Sequence, residues 1–368
     1  MGDGTVRRGP LVWVLLADRA GGNGQLLSLA EALGWPFERR AMAYNGLNRL
    51  PNLLLGVSLK SVRPTAAGTL RPPWPDLVIG ASRRSVPVAR WIRQQSGGRT
   101  KLVHLLHAMA PLDLFDLVIT TPQYRLPERP NVLHLAAPLN RVAEPLLHAA
   151  AAAWAPRLEH LRRPFVALLV GGNSATHRLD PATARQLGAA ASKIAEDAGG
   201  TLLVSTSPRT PVASADALAA AITSASFIYR WRPGDTANPY HAFLALADRF
   251  IVTSDSASQL VEACLTEKPV DIYDLPRSRQ PILRSKEWMW RHSEGSGFDA
   301  AVGRLVEWGF LKPPRDFEAL HRVLRARGLA GTIGGEPAAS TREPLDDMAR
   351  AVAAIRGLFV ETADGDPR

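Results

Sequence analysis

Four times in this chain a short apolar run ends in a polar stretch rich in glycine or serine and gives way to apolar residues at helical spacing. That recurrence restricts the fold more than any other feature. LVWVLL (11–16) leads into ADRAGGNGQ and then Leu26, Leu27, Leu29, Ala30 and Leu33, with Gly34 as a stop. DLVIG (76–80) leads into ASRRSVP and then Val88, Ala89, Trp91 and Ile92. FVALLV (165–170) leads into GGNSATH and then Ala184, Leu187, Ala191, Ile194 and Ala195. FIV (250–252) leads into TSDSAS and then Leu260, Val261, Cys264 and Leu265. Uninterrupted apolar runs of strand length suit strands buried on both faces, and their alternation with helices implies βαβ units with parallel sheets. Further strands are expected at 101–106, 115–120, 131–135, 201–205, from Phe227, and at 270–273. The ligands of such sheets gather in the loops at the carboxyl ends of the strands.

At 368 residues the chain exceeds what one core fills, so two doubly wound α/β domains are expected. An alanine- and leucine-rich helix over 143–161, broken by Arg162, Arg163 and Pro164, marks the junction between them. The expected domains are 1–150 and 151–335, followed by a linker and a last helix over 336–368 that returns to the first domain. Residues 331–341 read as a flexible linker, and Trp288, Trp290, Trp308 and Phe310 as packing positions of intervening helices.

The formal charge of +10 could attract nucleic acid, anionic lipid or an acidic substrate. The arginines are scattered in pairs, and no aromatic-interleaved basic motif occurs, so no nucleic acid is expected as a partner. A solvated arginine-rich surface or contact with a membrane surface remains. No apolar run approaches the roughly 18 residues of a membrane span, and the opening MGDGTVRRGP is too short and polar for a secretory leader. The expected location is cytoplasmic, with peripheral contact at the inner face of the membrane. The lone Cys264 on an apolar helix face reads as a buried thiol.

In the second half three loops fall at strand ends. Gly171 and Gly172 would free backbone N–H groups, with Asn173 and Ser174 beside them; Arg209 offers a planar bidentate donor; and Ser254, Asp255, Ser256 and Ser258 open a helix. Glu262, one turn in, could accept hydrogen bonds from a ribose diol. Asn238 and Tyr240 lie in the polar loop just before. In the first half the glycine turn of Gly21, Gly22, Asn23 and Gln25, with Arg83 and Arg84, forms the opposing rim. That turn is neither a phosphate-binding P-loop nor a GxGxxG fingerprint. Each feature has an ordinary structural alternative: serines before a helix cap it, an arginine beside proline lies at the surface, and a glycine turn can simply be tight.

ADRAGGNGQ with LAEALG, PDLVIGASRRS, FDLVIT, LLVGGNS, SPRTP, NPYHAFLALAD and VTSDSASQLVEA together resemble the ELM family of glycosyltransferase-like proteins, named after a plant mitochondrial fission protein and widespread in bacteria. The resemblance extends to about Leu311. It implies the GT-B architecture, two Rossmann-like domains facing a cleft, with a second domain similar to that of the peptidoglycan enzyme that transfers N-acetylglucosamine from a UDP-sugar to a lipid-linked acceptor. GGNS would then face the diphosphate of a UDP- or GDP-sugar, SDSAS would cap it and Glu262 would hold the ribose. Two departures stand out: SPRTP replaces the family's SRRTP, and Gln123 and Tyr124 stand where a histidine–aspartate pair is expected. The implied reaction is sugar transfer without a metal or cofactor to a lipid-linked or cell-envelope acceptor, with Asp18 or His107 as the base. The competing readings are a non-catalytic protein that binds membranes or partners on the same scaffold, and a GT-B-type nucleotide-sugar epimerase.

Overall fold

The computed structural model describes residues 9–17, 22–140, 142–278, 297–313, 315–333 and 341–360. These fall into two compact units, one within Met1–Leu139, Lys286–Pro314 and Asp346–Arg368, the other within Asn140–Ser285 and Arg315–Leu345. Among the described residues no helix is long and apolar enough to cross a membrane.

Unit 1 begins with β1 (Val12–Ala17), α1 (Asn23–Leu33), β2 (Phe37–Met42), the single-turn helices α2 (Asn52–Leu55) and α3 (Pro64–Ala67), and β3 (Leu77–Ala81). It continues through α4 (Ser85–Gln95), β4 (Lys101–Leu105), β5 (Leu117–Thr120) and β6 (Val132–His134). The strands form one parallel sheet in the order β2-β1-β3-β4-β5-β6. Because side chains alternate across a strand, each β1 and β3 residue commits to one of two cores. Trp13, Leu15 and Val78 pack with Ile92 of α4, whereas Val12, Val14, Leu77 and Ile79 pack with Leu26, Leu29 and Leu33 of α1.

Unit 2 contains α5 (Glu144–Leu158), β7 (Phe165–Leu169), α6 (Pro181–Asp197), β8 (Thr201–Ser205), α7 (Val212–Ala220) and β9 (Ser226–Tyr229). Next come α8 (Tyr240–Leu246), β10 (Arg249–Thr253), α9 (Ala257–Cys264) and β11 (Val270–Tyr273). The chain then gives α10 (Gly297–Glu307) to unit 1, α11 (Phe317–Ala326) and β12 (Gly331–Thr332) to unit 2, and α12 (Asp347–Val360) to unit 1. The second sheet, parallel in every pairing, has the order β12-β11-β10-β7-β8-β9. Counted from β7 and read from the β9 edge this is 3-2-1-4-5-6, the dinucleotide-fold order, so both units are doubly wound and Rossmann-like. The winding direction reverses between β7 and β10. In the first sheet it reverses between β1 and β3.

The last helix does return to the first sheet. Ala351 and Ile355 are fully buried against the α1 side, and Met348, Val352 and Leu358 join them at helical spacing. Asp347, 4% exposed, holds the helix start in place by accepting from Ala136 N at 2.9 Å and Ala137 N at 2.8 Å. Asp347→Ala leaves two buried N–H donors without acceptors and is expected to lower stability by about 2 kcal/mol. A urea titration checks this, and an unchanged midpoint would show that water replaces the carboxylate there.

Two expectations change. Residues 331–341 are not a linker throughout: Gly331 and Thr332 pair with Asp271 and Ile272, and Ile333 N donates to Ile272 O at 3.1 Å. Trp308 and Phe310 do not pack inward but are 40% and 55% exposed; Trp288 and Trp290 lie outside the described residues. The edge strand β2, FERRAM, has no counterpart among the strands expected from the sequence; Glu38 and Arg39 are exposed on it, while Arg40 is half-buried with its guanidinium 4.0 Å from the Trp13 ring centroid. Cys264 is the buried thiol expected, its Sγ 3.5 Å from Leu329 O, and burial pushes it up to about 12.

Candidate functional site

The register of β7 between β8 and β10 sets the site. Leu169 pairs with Ser205 on one side and Val252 on the other, so the loops after all three strands leave the sheet side by side. Gly171 N donates to Thr253 Oγ1 at 2.8 Å, Gly172 N to Asp255 Oδ2 at 3.0 Å and Asn173 N to Arg209 O at 3.0 Å. Ser207 Oγ and Thr210 Oγ1 both donate to Gly171 O. The GGNS, SPRT and TSDS segments are thus one knitted rim.

This knitting alters two expected roles. The N–H groups of Gly171 and Gly172 are taken by protein acceptors, and Ser174 N donates to His177 O at 3.0 Å. The two glycines are required instead by close approach. A Cβ on Gly171 would lie 2.4 Å from both Asp255 carboxylate oxygens, and one on Gly172, at φ +140°, would lie 2.2 Å from Arg209 O. Asp255 faces inward rather than toward a phosphate. Its side chain is fully buried, accepts from Gly172 N and from Thr253 Oγ1 (2.7 Å), and lies 2.6 Å from Arg209 Nη1. Burial raises its pKa, while Arg209, Thr253 and Gly172 act in the opposite direction.

Arg209, with its side chain 38% exposed, is thereby a cation pinned at the rim. Beside it Ser256 occupies the N-cap of α9 without making a side-chain cap bond, which leaves its hydroxyl uncommitted to the N–H groups of the first turn. Ser254 is spent locally, its Oγ accepting from Leu275 N at 2.9 Å. Ser256 is 8% exposed, and Ser258 is exposed. Together the guanidinium and the positive end of α9 form an anion-attracting corner at the point where the winding reverses.

One turn into α9, Glu262 accepts from Tyr240 OH and from Asn140 Nδ2 (2.9 Å). Burial raises its carboxyl pKa against these two bonds, and it raises the Tyr240 hydroxyl well above its usual value with help from Glu262. Asn238 Oδ1 accepts from Tyr240 N at 3.0 Å and sets the start of α8. Nothing in PLNR identifies Asn140 as a partner of Glu262; the signal is tertiary only. The same holds for His177, whose N–H donates to Ser174 Oγ at 3.0 Å and which burial pushes to about 4 with Arg277 and Arg209 acting in the same direction. His321 lies 1% exposed on α11, with no hydrogen-bond partner among the described residues. Apart from this network, a cavity of about 380 Å³ opens at the end of β9, lined by Trp154, Ile228, Tyr229, Arg232 and Asp235.

In unit 1 the rim residues are largely committed. Asp18 and Gly21 lie outside the described residues. Asn23 closes its own turn, accepting from Ala17 N at 3.0 Å and donating to Ala17 O at 2.8 Å. Gly22 sits against Ala81, and Gln25 is half-buried. Arg83 donates to Leu50 O at 2.6 Å and to Asn48 O, and Arg84 lies 5.8 Å from the Tyr44 ring centroid. His107 Nδ1 accepts from Met109 N at 3.0 Å, and burial pushes the ring to about 4. A neutral imidazole with Nδ1 so occupied carries its proton on Nε2, which makes it a poor general base. His104, Thr120, Thr121 and Gln123 are also buried, each with a side-chain atom unpaired among the described residues. Ser82, Leu106 and Met109, after β3 and β4, all take positive φ of 67°, 72° and 51°, a concentration of backbone strain on this rim.

The family model described as Mitochondrial fission ELM1 matches residues 20–308. The mitochondrial fission protein ELM1 of Arabidopsis thaliana is 24% identical over 302 residues, 75% of this chain and 70% of that protein. An uncharacterized protein of Rickettsia prowazekii (strain Madrid E) is 24% identical over 350 residues, 85% of this chain and 97% of that one. The UDP-GlcNAc 2-epimerase of Methanocaldococcus jannaschii superposes with a TM-score of 0.49 at 12% identity, covering 96% of this chain and 99% of that one. The resemblance carried by the motifs is borne out at the level of the family.

Proposed function

Since this chain belongs to the mitochondrial fission ELM1 family, we propose that it is a glycosyltransferase that moves a sugar from a UDP- or GDP-sugar to a hydroxyl of a lipid-linked or cell-envelope acceptor. The observation that carries this is the corner where Arg209, half-exposed, and the first turn of α9 meet at the reversal point of a dinucleotide-fold sheet. A diphosphate there receives charge-assisted donors from Arg209 and from the helix N-terminus, with Ser256 and Ser258 alongside. As the glycosidic bond breaks, negative charge grows on the leaving diphosphate, and these fixed donors stabilise it. Asp255 serves this by holding Arg209 in place. Glu262 accepts the ribose hydroxyls, which replace the Tyr240 and Asn140 donors it now holds. The acceptor belongs to the rim of unit 1, with Asp18 as the remaining candidate for its base.

Calorimetric titration with UDP, GDP and their sugars tests the reading. Binding by one nucleotide series is expected, weakened about 10- to 100-fold in Glu262→Ala, the value of one charge-assisted hydrogen bond. Because the Glu262 pKa is raised, its carboxylate protonates earlier on acidification than an ordinary glutamate. Affinity should therefore begin to fall at a pH above the usual range of about 4.3. Product analysis of donor alone separates the epimerase, which releases an epimer or free UDP without an acceptor. One observation favours the non-catalytic scaffold instead: the GGNS amides and the Glu262 carboxylate are already satisfied by protein groups. Silence toward every nucleotide would decide for it.

A further inference from the structure

Unit 1 presents a concentrated apolar surface. Leu47, Leu50, Leu53, Leu54 and Val57 are 47, 39, 57, 63 and 37% exposed within eleven consecutive residues. The segment after α10 joins them: a Cβ on Gly309 would lie 3.1 Å from Asn52 N and 3.4 Å from the Pro51 Cα, and its neighbours are the exposed Trp308 and Phe310. In unit 2, by contrast, exposed large apolar residues such as Val212 and Leu265 are isolated along the chain.

The display is held firmly. α2 buries Asn52 and Leu55 and turns Leu53 and Leu54 outward. Asn52 Nδ2 donates to Met109 O at 3.1 Å, Arg83 clamps Leu50 O and Asn48 O, and Asn45 caps the following turn by accepting from Leu47 N at 2.9 Å. Exposed leucines concentrated on an anchored segment are the kind of apolar patch that marks interaction sites.

Charge selects the partner. Residues 39–112 contain twelve Lys or Arg and one acidic residue, Asp76; four of these cations, Arg39, Arg40, Arg93 and Lys101, pair with Glu31, Glu38 or Asp116 outside that stretch, and the others leave it an excess of positive charge. Arg49 and Lys60, both exposed, flank the leucines directly. Leucines, a tryptophan and a phenylalanine rimmed by cations match the boundary of an anionic bilayer, where apolar side chains enter between acyl chains, aromatic rings sit at headgroup depth and basic residues meet phosphates. We infer that residues 47–57 with Trp308 and Phe310 are a membrane-docking surface for anionic lipid. Through Asn52 this surface is tied to the loop after β4, so docking brings the rim of the first sheet to the bilayer. Delivery of a lipid-linked acceptor to that rim rests on the glycosyl-transfer reading; docking itself does not.

The test is flotation of the full chain with vesicles of phosphatidylcholine alone and with phosphatidylglycerol added. Wild type should float with the anionic vesicles and lose binding at high salt. The Leu53→Glu/Leu54→Glu double variant should bind about tenfold less or worse. Arg49→Gln/Lys60→Gln should lose about fivefold per charge, and Val212→Glu in unit 2 should bind like wild type. All these positions are exposed, and circular dichroism confirms that each variant is folded. No flotation with any vesicle, or flotation indifferent to the Leu53/Leu54 change, overturns the inference. So does a concentration-dependent dimer abolished by that change without vesicle binding, which would make the face an interface between copies. Nucleotide titration of the double variant keeps the outcomes apart, because a failure of docking leaves nucleotide affinity unchanged.

Discussion

Gly172→Ala is expected to destabilise unit 2 by about 3 kcal/mol or more, with a matching fall in the urea midpoint. Two effects coincide at this position. Its φ of +140° lies outside what an L side chain tolerates, and the added Cβ would stand 2.2 Å from Arg209 O, 2.4 Å from Arg209 C and 2.7 Å from Thr210 N. These are backbone atoms of a loop that is itself tied back by Thr210 Oγ1 to Gly171 O at 2.6 Å, so no rotamer change relieves the clash. Gly24→Ala supplies the contrast, since that glycine lies in α1 with nothing within 4 Å of its Cβ position. There the same substitution should stabilise by about 0.5–1 kcal/mol. If both variants moved the midpoint alike, close packing of the rim would not be the reason for the glycine.

Arg209→Gln should be nearly as costly and should depend on pH. The change removes the cation 2.6 Å from a fully buried carboxylate and leaves Asp255 with Gly172 N and Thr253 Oγ1 as its remaining donors. Breaking a buried pair from one side costs about 3–5 kcal/mol, and the 38% exposure of Arg209 lets water replace part of it, so about 3 kcal/mol is expected near pH 8. Asp255 has a folded pKa raised by burial, and Arg209 is the foremost influence lowering it. Without Arg209 the folded pKa rises further above that of the unfolded chain. A carboxyl shifted in this direction adds stability below its unfolded pKa and loses it as pH rises through the folded value. The deficit of the variant should therefore be smaller at pH 5 than at pH 8. An equal deficit at both pH values would mean that Asp255 is not the group left uncompensated. On the proposed diphosphate reading, nucleotide affinity should also drop about 100-fold in this variant, since a charge-assisted donor has been removed.

The architecture was readable because its signals are local. FVALLV and FIV declare buried strands by composition alone, and Leu260, Val261 and Cys264 declare a helix face within two turns. What misled were residues whose local pattern opposed their tertiary setting. FERRAM carries no apolar run to announce a strand, and Phe37–Met42 pairs with β1 alone, at the edge of the sheet. Trp308 and Phe310 read as core, yet they lie on a surface beside α2.

The candidate site divides along the same line. That serines, glycines and an arginine collect at strand ends in a doubly wound chain follows from the sequence, because strand–loop–helix order fixes which end of the sheet each loop occupies. Which of them face a ligand and which face one another was decided only in three dimensions. Gly171 meets Thr253 across 82 positions, Gly172 meets Asp255 across 83, and Asn140 meets Glu262 across 122. No periodicity spans such distances. The steric contact that demands a glycine, the burial that raises a carboxyl pKa and the ion pair that pins Arg209 all arise when the β7–β10 reversal brings separate loops together.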